Sequence, residues 1–194
     1  MAATPNPELL SFLKTRRSGK PALMTGPGPS EEQLREILTI AARVPDHKKL
    51  APWRFIVFAG EARRQAGEVF AKACALEDAS ASETRIAFEQ ARFERAPVVV
   101  AVVSRVKPVP AAPEWEQILS AGASAYNLSL AANAFGFATA WVTEWVAYSE
   151  TVKAAFGLSE GERIAGFVYI GTATEVQADR DRPILDEVVS YWRG

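Results

Sequence analysis

The chain has 194 residues, 48% of them apolar and 23% charged, with 22 Lys plus Arg against 23 Asp plus Glu. That length fits one domain with a substantial core, expected over residues 1–194, and the even charge leaves no footprint for nucleic acid or an anionic membrane. A single His and a single Cys exclude an internal disulfide and a Cys/His zinc site, so no metal centre is expected.

Other absences narrow the chemistry. No apolar run reaches the length of a membrane span, and residues 1–7 carry no basic and apolar signal regions, so a cytoplasmic protein is expected. There is no G-x-S-x-G elbow, no G-x-x-x-x-G-K-[ST] and no G-x-G-x-x-G. Neither an acyl-transfer triad nor either common nucleotide cradle is available, and difficult chemistry would have to come from a borrowed cofactor.

In chain order, Asn6-Pro7 predicts a helix start, a cap followed by proline at the first helical position. Leu9, Leu10 and Leu13 form its apolar stripe, and it closes in Thr15-Arg16-Arg17-Ser18-Gly19. Adjacent helical residues point about 100° apart, so Arg16 and Arg17 can reach two parts of one ligand. Taken alone, they read more readily as cations satisfying a helix C-terminus than as a ligand site. Lys20 to Pro29 reads as a Gly- and Pro-rich loop. Ser30-Glu-Glu-Gln33 matches a capping box, and Leu34, Ile37, Leu38, Ala41 and Ala42 give the next helix its stripe.

Arg43 to Phe55 joins that helix to the first apolar strand, Trp53 to Ala59. Pro45 and Pro52 stop both helix and ladder, and five bases (Arg43, His47, Lys48, Lys49, Arg54) surround one acid, Asp46. A stiff cationic connection of this kind is either an anion site or a solvated basic turn. Two helical stretches follow, near 61–79 and 82–94, the second dense enough in charge to read as a solvated face. Cys74 reads as helix packing. Ala96 to Val103 is a continuous β-branched run, as expected of a strand buried on both sides. After the proline loop 107–113, Glu114 to about Phe135 is rich in Ala, Gly and Ser, which predicts a central buried helix whose Asn127 and Asn133 need partners. Thr139 to Thr143 reads as a strand, Ser149 to Phe156 as a short helix, and Arg163 to Gly171 as the last core strand. The apolar tail beyond Asp179 should dock on its own core or on a partner. Four strands preceded by two helices favour α+β over a regular βα alternation.

Together, Arg16-Arg17-Ser18, Ala42 to His47, Ala51 to Phe55, Trp115-Glu116, Ser120 to Gly122, Ala131 to Gly136, Phe137 to Trp141 and Gly166 to Gly171 resemble the FMN-dependent nitroreductase-like family, in particular its compact branch. The resemblance implies a nitroreductase-like α+β fold, a central and mostly antiparallel sheet flanked by helices, in an obligate homodimer with FMN at the subunit interface. By resemblance, Arg16, Arg17 and Ser18 match the stretch that holds the flavin, and Arg43 and His47 match partner-subunit residues completing the same pocket. Trp141, Val142 and Thr143 match the segment along the isoalloxazine, and 131–136 a region associated with the nicotinamide nucleotide. Val142 stands where a close relative can carry arginine. The implied activity is an FMN-dependent oxidoreductase using NADH or NADPH to reduce nitroaromatic, quinone or similar electrophilic small molecules in a ping-pong hydride-transfer cycle. No catalytic side chain is required, because flavin N5 carries the hydride. The alternative is a flavin-binding or storage protein on the same fold; a third reading is a non-flavin domain whose basic loop binds an anionic partner.

Overall fold

Every strand pair in the sheet is antiparallel. The computed structural model describes residues 4–194; the leader-free reading of residues 1–7 therefore lies partly outside the described residues. The strands are β1 (Met24–Thr25), β2 (Trp53–Ala59), β3 (Val98–Ser104), β4 (Ala138–Val142) and β5 (Arg163–Ala173). β5 is the hub: residues 167–170 pair with β3 on one edge and β4 on the other, while Thr172 and Ala173 pair with β1. β2 closes the far edge against β3. β1 corrects the sequence reading, which took Lys20–Pro29 wholly as loop; two residues are too few to carry an alternating pattern.

All seven residues of β3 are buried, because its alternate side chains feed two separate cores. On one face Val98, Val100 and Val102 pack with Val168 and Ile170 beneath α2 (Glu31–Ala41) and α5 (Glu114–Ala134). On the other, Val99 and Ala101 join Phe58, Phe70, Phe93 and Phe167 beneath α3 (Glu61–Glu77) and α6 (Glu150–Ala155). Phe93 is the centre of that second core, with four aromatic rings between 4.6 and 5.7 Å of it. Burial among them pushes the Tyr169 phenol up to about 12. The sheet is thus covered by helices on both faces.

The predicted caps form. Asn6 Oδ1 accepts the Leu9 amide and starts α1 (Pro7–Thr15), and Ser30 and Gln33 bond reciprocally in a complete capping box on α2. α3 packs on α4 (Glu83–Gln90) closely enough that a Cβ on Gly67 would stand 1.9 Å from the Gln90 carbonyl oxygen. The 82–94 stretch is not one solvated helix. It breaks at Ala91 into a 3-10 turn over 92–95, and Glu89 and Arg92 are buried, at 0% and 3% exposure. Charge density misled here because these two ions neutralise each other inside the fold.

Three apolar surfaces stay uncovered within the chain. α1 buries none of its residues, and Leu9, Leu10 and Leu13 are exposed. α5 is buried on one side only, since Trp115, Leu119 and Tyr126 face outward. The tail, including the short α7 (Leu185–Val188), does not dock on its own core: Ile184, Leu185, Val188, Tyr191 and Trp192 are all exposed. Of the two docking alternatives, the structure removes the first. No described helix is long and apolar enough to cross a membrane.

Candidate functional site

The C-terminus of α1 sets the first wall of the candidate site. The helix closes when the Arg16 amide donates to the Phe12 carbonyl (2.9 Å), and the chain then runs against the start of β4, where the Gly19 amide donates to Thr139 O at 2.7 Å. A Cβ on Gly19 would come within 2.8 Å of the Met24 side chain, so a small residue lets the two backbones meet. The result is an open groove of about 480 Å³, within the range of small-molecule sites. It is lined by Phe12, Arg16 and Arg17, by Asn133 near the end of α5, and by residues 173–177 at and beyond the end of β5.

The two arginines diverge as their helical spacing requires. Arg16 Nη1 donates to the Tyr126 hydroxyl (3.2 Å) and its guanidinium lies 5.6 Å from that ring's centre. Arg17 Nε donates to the Ala178 carbonyl (3.1 Å) and lies 3.5 Å from Asp179 Oδ1. Backbone donation from Arg180, with Arg182 and Arg17 nearby, holds the Asp179 carboxyl below its usual range. Asn133 gives both amide hydrogens away, to Phe137 O (2.8 Å) and Thr139 Oγ1 (3.1 Å), while its buried Oδ1 has no partner. An unpaired buried acceptor in the wall of a groove that two arginines also line suits a ligand that is anionic at one end and carries an N–H or O–H donor.

Trp141, Val142 and Thr143 lie at the other end of β4, about 10 Å along the strand from Ala138 at ~3.3 Å per residue. Their arrangement depends on an irregularity in β5. The β3–β5 register jumps between Val102↔Gly166 and Val103↔Ile164, leaving Ala165 unpaired as a bulge. The Ala165 carbonyl instead accepts the Trp141 indole N–H at 3.2 Å, and the indole lies on Gly166, where a Cβ would stand only 1.9 Å from Nε1. The tryptophan is 42% exposed, held flat by bulge and glycine but open to a ligand. Glu144, the next residue after Thr143, sits at φ 55°, ψ 179°. That region is essentially limited to glycine and costs other residues on the order of 1–3 kcal/mol.

His47 is elsewhere, while the Arg43 carbonyl accepts from Asn127, one residue along α5 from Tyr126. His47 Nδ1 meets Glu116 Oε2 at 2.7 Å, near the N-terminus of α5, whereas Arg16 meets Tyr126 ten residues along the same helix, about 15 Å away at 1.5 Å per residue. Within one chain, Arg16–Ser18 and His47 do not form one pocket. Their loop is nonetheless stiff. Asp46 does not pair with the surrounding bases; its carboxylate accepts the amides of Leu50 (2.9 Å) and Ala51 (2.8 Å). Ser120 Oγ donates to Pro45 O at 2.6 Å and accepts from the Trp53 indole, and Lys107 donates to Leu50 O. Lys48, Lys49 and Ala51 are held at positive φ, 63°, 54° and 45°. Asn127, predicted to need partners, donates to Ile40 O (2.5 Å) and Arg43 O (3.3 Å). No group of three or more potential metal ligands occurs among the described residues.

Sequence reasoning marked Asn133 only as a polar residue in need of partners, not as a site candidate, and missed Glu144 altogether. The first could have been found by asking what an Asn one residue before a helix end satisfies; nothing local signals the second.

The chain matches the nitroreductase family over residues 13–172. It is 39% identical over 188 residues to a Haemophilus influenzae protein named "Putative NAD(P)H nitroreductase", covering 95% of this chain and 99% of that one. It is 36% identical over 167 residues to "Putative NAD(P)H nitroreductase YdjA" of Escherichia coli K12, covering 85% and 88%. Among solved structures, a nitroreductase-like family protein from Bacillus cereus superposes with a TM-score of 0.84 at 23% identity over 100% of both chains. The FMN-dependent nitroreductase NfnB of Mycobacterium smegmatis, solved in complex with NADPH, gives 0.72 at 19% identity over 95% of this chain and 98% of that one.

Proposed function

Because the chain belongs to the nitroreductase family, we propose that it is an FMN-dependent oxidoreductase, one domain throughout, that uses NADH or NADPH to reduce nitroaromatic, quinone or similar electrophilic small molecules in a ping-pong cycle. The observation that carries the reading is the groove lined by Arg16, Arg17 and Asn133, whose buried Oδ1 has no partner within the chain. These residues fit FMN. A guanidinium binds a phosphate dianion through two parallel bonds and never deprotonates. An unpartnered amide oxygen suits the ring N–H of a flavin's pyrimidine edge. When bound, FMN supplies the hydride chemistry at N5, for which the protein offers no nucleophile of its own.

The chain's residues bind and orient. Arg16 and Arg17 carry the charge for the phosphate and the electron-rich ring edge, and Ser18 adds a neutral donor. Trp141, Val142 and Thr143 provide a flat wall that aligns the ring and excludes water from one face. Arg43 and His47 serve the same site from a second subunit, which the ~15 Å offset of His47 along α5 and the uncovered faces of α1, α5 and the tail support. We infer a homodimer whose two sites are each shared between chains.

Purified protein should be yellow, release FMN on acid treatment, and bleach anaerobically with NADH or NADPH. Reoxidation by a nitroaromatic or quinone then completes the cycle. A colourless protein that takes up no added FMN refutes the reading; flavin that binds but does not bleach selects the storage alternative.

A further inference from the structure

A buried ion cluster lies directly behind the segment that ends in Thr143, and nothing in the groove uses it. Arg92, 3% exposed, donates through Nε to Glu89 Oε2 at 2.6 Å, and Glu89 is itself fully buried. Arg85 reaches the second Glu89 oxygen at 2.8 Å from the surface. The other side of the Arg92 guanidinium pairs with the Glu144 carboxylate. Buried ion pairs are weak contributors to net stability, because desolvation offsets most of their attraction. Their presence therefore calls for a second role. Glu144 suggests which one, since it is the residue in the glycine-type backbone conformation.

On either side of Glu144 the chain is anchored. β4 is laddered to β5 up to Val142, and the 3-10 turn 145–147 that follows puts Val146 and Ala147 into the core at 0% and 3% exposure. Thr143 and Glu144 must connect the two, and the sharp change of direction falls on Glu144. Arg92 is fixed in turn by Phe93, the ring at the centre of the aromatic core.

We propose that Arg92, seated on buried Glu89, acts through Glu144 as a positioning pair: it holds Glu144 in a glycine-type conformation and so fixes how Trp141–Thr143 are presented at the end of β4, the segment assigned above to the flavin ring. Neither residue touches the ligand in this scheme. The consequence for FMN rests on the function proposed above, whereas the consequence for the backbone does not.

Substitutions at position 144 separate the device from ordinary structural support. Glu144→Ala removes the carboxylate and keeps the backbone penalty, so residues 143–145 relax. Glu144→Gly removes the carboxylate and the penalty together, so the conformation survives without Arg92. In FMN-free protein, amide hydrogen exchange at 143–146 should be at least about tenfold faster in Glu144→Ala than in wild type, and near wild type in Glu144→Gly. FMN affinity should follow the same order: about tenfold weaker for Glu144→Ala, within about threefold for Glu144→Gly. Because an unpaired Glu89 could prevent folding, Arg92 is tested as Glu89→Gln/Arg92→Met, which removes both charges; adding Glu144→Gly should rescue its exchange and its affinity. If the alanine and glycine variants behave alike, whether both intact or both impaired, the positioning pair is refuted. Wild-type protein that fails to bind FMN would refute the function instead, and the exchange comparison would still decide the inference.

Discussion

Replacing Gly166 by alanine tests the clamp that presents Trp141. The new Cβ would stand 1.9 Å from the indole Nε1 and 2.3 Å from Cδ1, far inside contact distance. β5 cannot yield, because Gly166 pairs with buried Val102 on β3, so the indole must leave. It then loses its bond to the Ala165 carbonyl, about 1 kcal/mol. At 42% exposure it also gives up on the order of 100 Å² of covered apolar surface, about 2.5 kcal/mol if the loss is complete. Alanine narrows the unfolded ensemble and returns about 0.4–1 kcal/mol. The net cost is about 2–3 kcal/mol, which lowers the melting temperature of a chain this size by about 4–12 °C. Calorimetry gives that number, near-UV circular dichroism follows the indole, and titration with FMN reports whether the wall has moved. A melting temperature within about 1 °C of wild type, with unchanged tryptophan dichroism, would show that the indole does not rest on Gly166.

Arg17→Ala and His47→Ala should each bind FMN poorly as homodimers, a lost charge-assisted contact costing about ten- to a hundredfold in affinity. Refolded together, they should recover about a quarter of wild-type flavin content, the share of intact sites when half the dimers are mixed; no recovery despite proven mixed dimers removes the shared site. The Arg54–Glu162 pair predicts a pH dependence. Two bonds of 2.8 Å from Arg54 hold the Glu162 carboxyl below its usual range, so it stabilises the fold above the unfolded carboxyl pKa of about 4.3, and that contribution is lost as pH falls through the lower folded value. Glu162→Gln should therefore cost about 1–2 kcal/mol at pH 7 in urea unfolding, with a gap that narrows in acid; a gap unchanged at pH 3 would contradict it.

The elements legible in the sequence were those with strong local rules. The Asn6 and Ser30 caps and the β-branched run of β3 each signal themselves within a few residues. β1 was invisible because its pairing is set by β5, some 150 residues downstream, and not by its own pattern. Burial of Glu89 and Arg92 was misread for the opposite reason. Their spacing is that of any solvated helix face, and only the position of the aromatic core shows that this face turns inward. The candidate residues Arg16, Arg17 and Trp141 were picked out by family resemblance, but their setting was not legible. The bulge at Ala165, the open oxygen of Asn133 and the strained Glu144 are products of tertiary register.

The loop from Asp46 to Ala51 bears on how this protein can be engineered. Three non-glycine residues there hold positive φ, each at a cost of about 1–3 kcal/mol, a sum comparable with the net stability of a typical domain. A selection for thermostability alone would converge on this loop, since glycine at 48, 49 or 51 relieves the strain at once. The same substitutions would free the segment that carries His47. Heat tolerance and the rigidity of the proposed half-site at His47 therefore pull the same few positions in opposite directions, and a variant library scored only on melting temperature would drift towards sturdier proteins with a slacker loop.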